Sequence, residues 1–281
     1  MSTCKEYSWM YDLNTQENLA TFVSYNCVQC RAYWNPEFRA MLRPVCILDS
    51  YIPVNCGIKF GFQDPVFHLK LDDDYPSPKV YDVRPIFNQT FLDPTGDPNT
   101  NAHSVTGHDG NALRFDGLDD HIALTAESHQ PYLEANSDFT VALWVRAVAP
   151  NPATNTRAMS SSEGTDAGMF IGLVSNIYRV RFTTGSGGSS RTVYADSASN
   201  QDTDWHHFAI TREGYTITLY MDGSSMTSDT NPLNARAAYT EGTLMHLAST
   251  PTPDKFGNVD LDGFRLYDRA LSAAEISALA A

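Results

Sequence analysis

Residues 111–124 read NALRFDGLDDHIAL. The run ALRFD at 112–116 is short and β-type, and the Asp116-Gly117 dipeptide that closes it is turn chemistry. The same grammar recurs outward along the chain. TVALWVR (140–146), IYRVRF (177–182), HHFAIT (206–211), TITLYM (216–221) and 261–267 are all strand-like, and several alternate in polarity as half-buried strands do. Glu213-Gly214 between two such runs predicts a tight hairpin, and Asp222-Gly223 another turn. One helix signal stands out, at the C-terminal end. Ser272 and Glu275 form a capping box, with Ile276 and Leu279 on one face. Many strands with few helices predict an all-β chain, built as two antiparallel sheets in a sandwich.

Five segments, taken in order, resemble the laminin-G-like, concanavalin A-like lectin/glucanase jelly roll. They are residues 111–124, FTVALWV (139–145), WHHFAIT (205–211), LYMDG (219–223) and VDLDGFRLYDRALS (259–272). The resemblance implies a jelly-roll sandwich over residues 65–281. VFHLKL (66–71) would be its first strand, with residues 264–267 pairing beside it. Trp144 and Trp205 lie inside apolar strands and are expected to pack in the core rather than to form a sugar platform. Arg265 and Arg269 are expected to anchor the last segment through nearby carboxylates.

Residues 1–64 differ in composition from the rest. They hold all five cysteines and are close to neutral, whereas residues 65–281 carry 14 basic against 27 acidic side chains. A boundary is therefore expected near Gln63-Asp64-Pro65, between a small cysteine-containing β-domain (1–64) and the jelly roll (65–281). Cys4-Lys-Glu-Tyr7, then residues 21–27 (TFVSYNC), then Pro44-Val-Cys46 resemble a small β-domain of tailed-phage structural proteins. Cys46 precedes Ile47 instead of following an isoleucine, and Cys30 and Cys56 are additions to that pattern.

The chain has a net charge of −14. It lacks the positive field that phosphate backbones require, so nucleic acid is not an expected partner. No stretch approaches the roughly 20 apolar residues of a membrane span. The opening MSTCKEYSWMYD shows no secretory pattern, so assembly in a host cytoplasm is expected.

Metal chemistry has two candidates. Cys27 and Cys30 make a CxxC half-site, but Cys46 and Cys56 lie nine residues apart. Zinc at these four, disulfides and buried thiols all remain readings, with buried thiols favoured. The jelly-roll resemblance implies calcium where an early loop meets the final strands, with Asp82 and Asp262 as candidate ligands and Asp72, Asp73 and Asp74 nearby. The competing reading is a solvated acidic edge. Catalysis is not expected. The superfamily's glucanases carry paired glutamates on one strand, and here the glutamates are isolated. His206-His207 sits in a strand pattern, with one ring expected in the core and the other at the surface.

The expected function is a non-enzymatic structural protein of a tailed-phage virion, as capsid decoration or as a tail or neck fibre. Its N-terminal domain would dock on other virion proteins or on further copies of the chain, as a homo-oligomer, and its jelly roll would face outward, toward a host surface glycan or receptor. Tyr7, Trp9, Tyr11, Tyr33 and Trp34 are the candidate docking residues, because about 64 residues enclose too little interior to bury so many aromatics. The alternative is a bacterial carbohydrate-binding or cell-adhesion module. The polar stretches 150–165, 184–203 and 223–241 read as loops, with Tyr194 and Tyr239 as their aromatics.

Overall fold

The computed structural model describes residues 65–149, 155–162, 167–185, 190–198, 202–237 and 244–281, and the backbone of 29–35 and 40–47. The chain divides into two units, Met1–Gln63 and Asp64–Ala281. In the first, strands β1 (Gln29–Asn35) and β2 (Ala40–Ile47) pair antiparallel, with Cys30 opposite Cys46. Tyr33 and Trp34 lie on β1. Tyr7, Trp9, Tyr11, Cys27 and Cys56 lie outside the described residues.

The second unit is two stacked antiparallel sheets. The first sheet runs β13 (Arg191–Asp196), β12 (Ile177–Thr184), β11 (Gly168–Val174), β10 (Asn155–Ser160), β17 (His246–Leu247), β8 (His121–Ala123), β5 (Gln89–Leu92), β4 (Lys79–Val80). The second runs β16 (Ser224–Thr230), β15 (Thr216–Met221), β14 (Trp205–Glu213), β9 (Phe139–Ala147), β18 (Asn258–Tyr267), β7 (Asn111–Asp116), β6 (Ser104–Thr106), and β3 (Phe67–Leu69) also pairs with β18. Two four-residue helices, α1 (Thr100–His103) and α2 (Ala126–His129), sit in connections, and α3 (Ala273–Leu279) ends the chain. No helix among the described residues is long and apolar enough to cross a membrane.

The alternation in the sequence becomes the core. Leu113 and Phe115 of β7, Val141, Leu143 and Val145 of β9, and Tyr178, Val180 and Phe182 of β12 all point between the sheets. Each such side chain contributes roughly 1.5–3 kcal/mol on burial. Strand β9 is buried on both faces, because α3 covers part of its outer side. Ala142, Ala209, Tyr220, Tyr267, Leu271 and Ile276 form that second cluster. The expected capping box starts α3: Ser272 Oγ accepts from the Glu275 amide, and Glu275 accepts from the Ser272 amide. Glu275 also pairs with Arg269, which ties the last segment down as expected.

The hairpin at Gly214 forms as expected. Glu213 faces Thr216, and Gly214 takes φ +55 as the first of two turn residues. At the other end, β3 is shorter than the run 66–71 suggests. The strand ends at Leu69, and Leu71 two residues on adopts φ +63, outside the extended region, while Leu69 and Phe67 still pair with Phe264 and Leu266.

Three polar stretches that read as loops contain β10, β13 and β16. Strands β13 and β16 are sheet edges, where few apolar positions are needed and the alternation signal fades. Thr216–Thr230 and Thr218–Ser228 hydroxyl pairs lace β15 to β16 instead.

Candidate functional site: a cationic hollow on the first sheet

The outward side chains of β10 to β13 form two cross-strand rows. Ser160, Phe170, Arg181 and Tyr194 are register partners in one row, and Arg157, Gly172, Arg179 and Asp196 in the next. Because Tyr178, Val180 and Phe182 fill the core, Arg179 and Arg181 must point out. Gly172 keeps the second row low, since a Cβ there would lie 2.3 Å from the Thr156 carbonyl oxygen. The result is a hollow of about 320 Å³ whose walls include Asn155, Arg157, Phe170, Arg179, Arg181 and Tyr194. That volume is at the lower end of small-ligand sites.

Phe170 organises the cations. The guanidinium carbons of Arg157 and Arg181 lie 3.9 and 4.6 Å from its ring centre, reaching it from the strands on either side. Arg179 lies 5.2 Å over Tyr194 and is paired in fork geometry with Asp196, at 2.5 and 2.7 Å. Tyr194 itself is 58% exposed. Arg157 is buried, and its Nη1 donates to Asn155 Oδ1 and the Thr156 carbonyl. Burial, and then the neighbouring charge of Arg181, pull its pKa down to about 10.

A second, smaller hollow of about 150 Å³ lies on the second sheet, beside Trp144, His68, Asp262 and Arg265. Trp144 stacks on His108 at 3.5 Å and meets the edge of His207 at 5.2 Å. Trp205 lies under the Arg146 guanidinium at 4.6 Å. Trp144 is buried as expected, 8% exposed, but it packs on the outer face of β9 against His108 and His207 rather than between the sheets. Trp205 departs from the expectation: it is half-buried on the outer face of β14, beneath Arg146. Of the histidine pair, His207 is the buried ring, held by burial at a pKa of about 4.

The two candidate calcium ligands flank the same strand. Asp82 bridges Leu69 from one side, and Asp262 lies on β18, which pairs with β3 from the other. Asp82 accepts from the amides of His68, Arg84 and Phe87. Asp262 accepts from those of His108 and Asp109, at 2.8 and 3.0 Å. Asp260, two residues earlier, is fully buried and holds Arg114 and Arg146. Among the described residues, none of Asp73, Asp82 and Asp262 belongs to a group of three ligating side chains; the groups that form are Asp93 with His103 and Asp120, and Asp116 with Asp119 and Asp120. Asp73 is the buried carboxylate of this region with an unpartnered oxygen. Its Oδ1 accepts from the Tyr81 amide, and its buried Oδ2 has no partner.

The arginines of the hollow are absent from the residues singled out in the sequence. Their signal was available: the alternation of IYRVRF puts two cations on the face opposite the core residues.

Fold and site together define a two-sheet jelly roll that presents a cation- and aromatic-lined hollow on one face. Residues 115–277 match the laminin G type 3 model of the concanavalin A-like lectin/glucanases superfamily, and the chain belongs to that superfamily. No curated protein matches the chain in sequence. Among solved structures, the binding domain of Paraclostridial Mosquitocidal Protein 1 is 20% identical, with a TM-score of 0.59 over 78% of this chain and 52% of that one. Domain 4 of AbnA, a GH43 extracellular arabinanase from Geobacillus stearothermophilus solved with arabinotriose, is 19% identical, with a TM-score of 0.53 over 78% and 98%. Botulinum neurotoxin type C, whose cell entry depends on interaction with two ganglioside molecules, is 12% identical, with a TM-score of 0.52 over 78% and 51%. This chain thus spans about half the length of the two toxin structures. At these identities the likeness is one of fold.

Proposed function

We propose that Asp64–Ala281 is a non-catalytic recognition module that binds a saccharide or glycosylated receptor through the outer face of the first sheet. The hollow between β10 and β13 carries this reading. It joins an exposed aromatic, an apolar floor and oriented donors, the chemistry with which proteins hold sugar rings and their hydroxyls. The neighbouring folds include a sugar-bound domain and toxin binding domains, which is consistent with this use of the scaffold. The test is a panel of immobilised oligosaccharides probed with the full chain. Binding that Tyr194→Ala abolishes supports the reading, and a blank panel together with unchanged adhesion of Tyr194→Ala to target cells overturns it.

The finer reading is that this module is displayed by a tailed-phage virion, with the first 64 residues docking on the particle or on further copies of the chain. Its support is the resemblance of the Cys4–Tyr7, 21–27 and Pro44–Cys46 segments to a phage β-domain, and the aromatic density of that stretch. Antibody labelling of purified particles in electron micrographs tests it. Label on particles supports virion display, and label confined to bacterial cell surfaces favours the adhesion module.

A further inference from the structure

We propose that Asp93, His103 and Asp120 bind a divalent transition-metal ion of the zinc type, and that this ion fastens the turn linking the two sheets. The site is separate from the hollow between β10 and β13 and does not depend on the saccharide reading.

The fold brings the three residues together from different elements. Leu92 of β5 is the register partner of His121 of β8, so Asp93 and Asp120 are the next residues along the same two strands. Asp120 also lies in the connection from β7 of the second sheet to β8 of the first. His103 ends α1, and its ring packs on Phe91 at 4.3 Å, which in turn stacks on Phe115 at 5.1 Å. One donor atom from each of the three lies within 4.8 Å of the other two.

The histidine ring is set for a metal. Its Nε2 lies 2.7 Å from the Asp97 carbonyl oxygen. A carbonyl only accepts, so in the neutral ring Nε2 carries the proton and Nδ1 offers a lone pair. Nδ1 stands 3.6 Å from Asp120 Oδ2, too far for a hydrogen bond. Two ligands held about 2.0–2.2 Å from one tetrahedral ion stand about 3.3–3.6 Å apart. A metal-bound imidazole characteristically donates its other N–H to a backbone carbonyl or carboxylate, as this ring does.

The carboxylates give an independent argument. Asp120 is 1% exposed, and although its Oδ2 accepts from the Asp116 amide, its buried Oδ1 has no hydrogen-bond partner. Asp93 spends Oδ1 on the amides of Thr95 and Gly96 and points Oδ2 at His103, 3.5 Å from Nε2. Among the described residues, His103 is the side chain that ion-pairs with either of them. Two buried carboxylates without a permanent cation are costly, and one divalent ion neutralises both. An imidazole with two carboxylates suits zinc, whereas calcium takes six to eight oxygens. The Asp93 and His103 side chains are 9% and 14% exposed, which leaves the ion a way in from solvent.

The experiment strips the reduced full chain of metal and titrates it with Co²⁺ and with Zn²⁺, beside Asp93→Asn and His103→Gln. Both variants keep groups able to make the parent's loop hydrogen bonds. Cobalt reports its own ligands, because thiolates add an intense charge-transfer band that imidazole and carboxylate do not. The parent is expected to bind one equivalent more than either variant, with no thiolate band for that equivalent. Each substitution should weaken the site by more than about 100-fold, beyond what loss of an outer-shell partner costs. Zinc should also raise the melting temperature of the parent more than that of either variant. Equal numbers of equivalents in parent and variants overturn the site. A thiolate band on every bound equivalent assigns the metal to the cysteines and overturns it as well, and this readout of the parent holds even where a variant is unstable. A parent that binds no metal while His103→Gln melts lower makes His103 a protonated partner of the two acids and overturns the proposal. Calcium that displaces cobalt at equal concentration overturns the zinc-type class.

Discussion

The guanidinium carbon of Arg157 lies 3.9 Å from the centre of the Phe170 ring. The two residues stand on adjacent strands, and Arg181 reaches the same ring from the far side of β11. Phe170 is therefore the support that orients two cations, although its own exposure is only 3%.

Phe170→Leu keeps an apolar side chain but removes the aromatic face. It is expected to cost about 1 kcal/mol of stability through the lost cation–π contacts. Ligand affinity in titrations should drop by about tenfold, because the arginines lose their fixed planes. A variant with full affinity would show that the ring is filler and not a support.

His206 sits between two carboxylates, with Nδ1 2.8 Å from Asp222 and Nε2 3.0 Å from Asp202. The hydrogen bond to Asp222, opposed by burial and reinforced by Asp202, raises its pKa from 6.5 to about 9. The folded value exceeds the unfolded one, so the stabilisation is fully present below about pH 6.5 and is lost as pH rises through about 9. Both carboxylates are about half exposed, so the gain is about 1 kcal/mol after screening. Melting curves of the parent and His206→Gln should differ at pH 6 and converge above about pH 10.

Arg212 is fully buried and donates to the carbonyls of Glu134, Ser137, Asn234 and Arg236, with its guanidinium 4.9 Å over Phe139. It ties two chain segments to the end of β14. Arg212→Met leaves those carbonyls without donors and is expected to destabilise by about 3 kcal/mol in urea titrations. Arg212→Lys should recover little of this, since one ammonium does not span the same acceptors.

Burial pushes Asp73 up to about 6, with the Tyr81 amide only partly offsetting it. The folded value is the higher one, so the ionised carboxylate costs stability in full above about pH 6 and nothing below about pH 4. In chelator at pH 7.5, Asp73→Asn is expected to be more stable by about 1 kcal/mol. Added calcium is expected to reverse the order by stabilising the parent alone, as a ligand of the native state does. Melting curves that calcium leaves unchanged in both proteins would remove this loop from consideration as a cation site.

The local signals were strong wherever one face of a strand must be dry. Leu113 and Phe115, Val141 to Val145, and Phe208 with Ile210 announce their strands by alternation, and Gly214 and Gly117 announce turns that need positive φ. The capping box at Ser272 and Glu275 was legible because all its atoms lie within four residues. Edge strands β13 and β16 were not, because an edge exposed to water places little apolar demand on its residues.

The sequence by itself therefore determined the sheet sandwich, the turns at Gly117 and Gly214 and the outward direction of Arg179 and Arg181. Each depends on residues close together in the chain, with periods of two and turns of two residues. Only the tertiary structure decided that Arg157, Phe170, Arg181 and Tyr194 meet in one hollow, that the Asp262 carboxylate caps the amides of residues 108 and 109, and that Arg212 points inward. Those outcomes depend on which strands become neighbours and in what register. Register is set by the whole buried face at once, so no single stretch of sequence carries it.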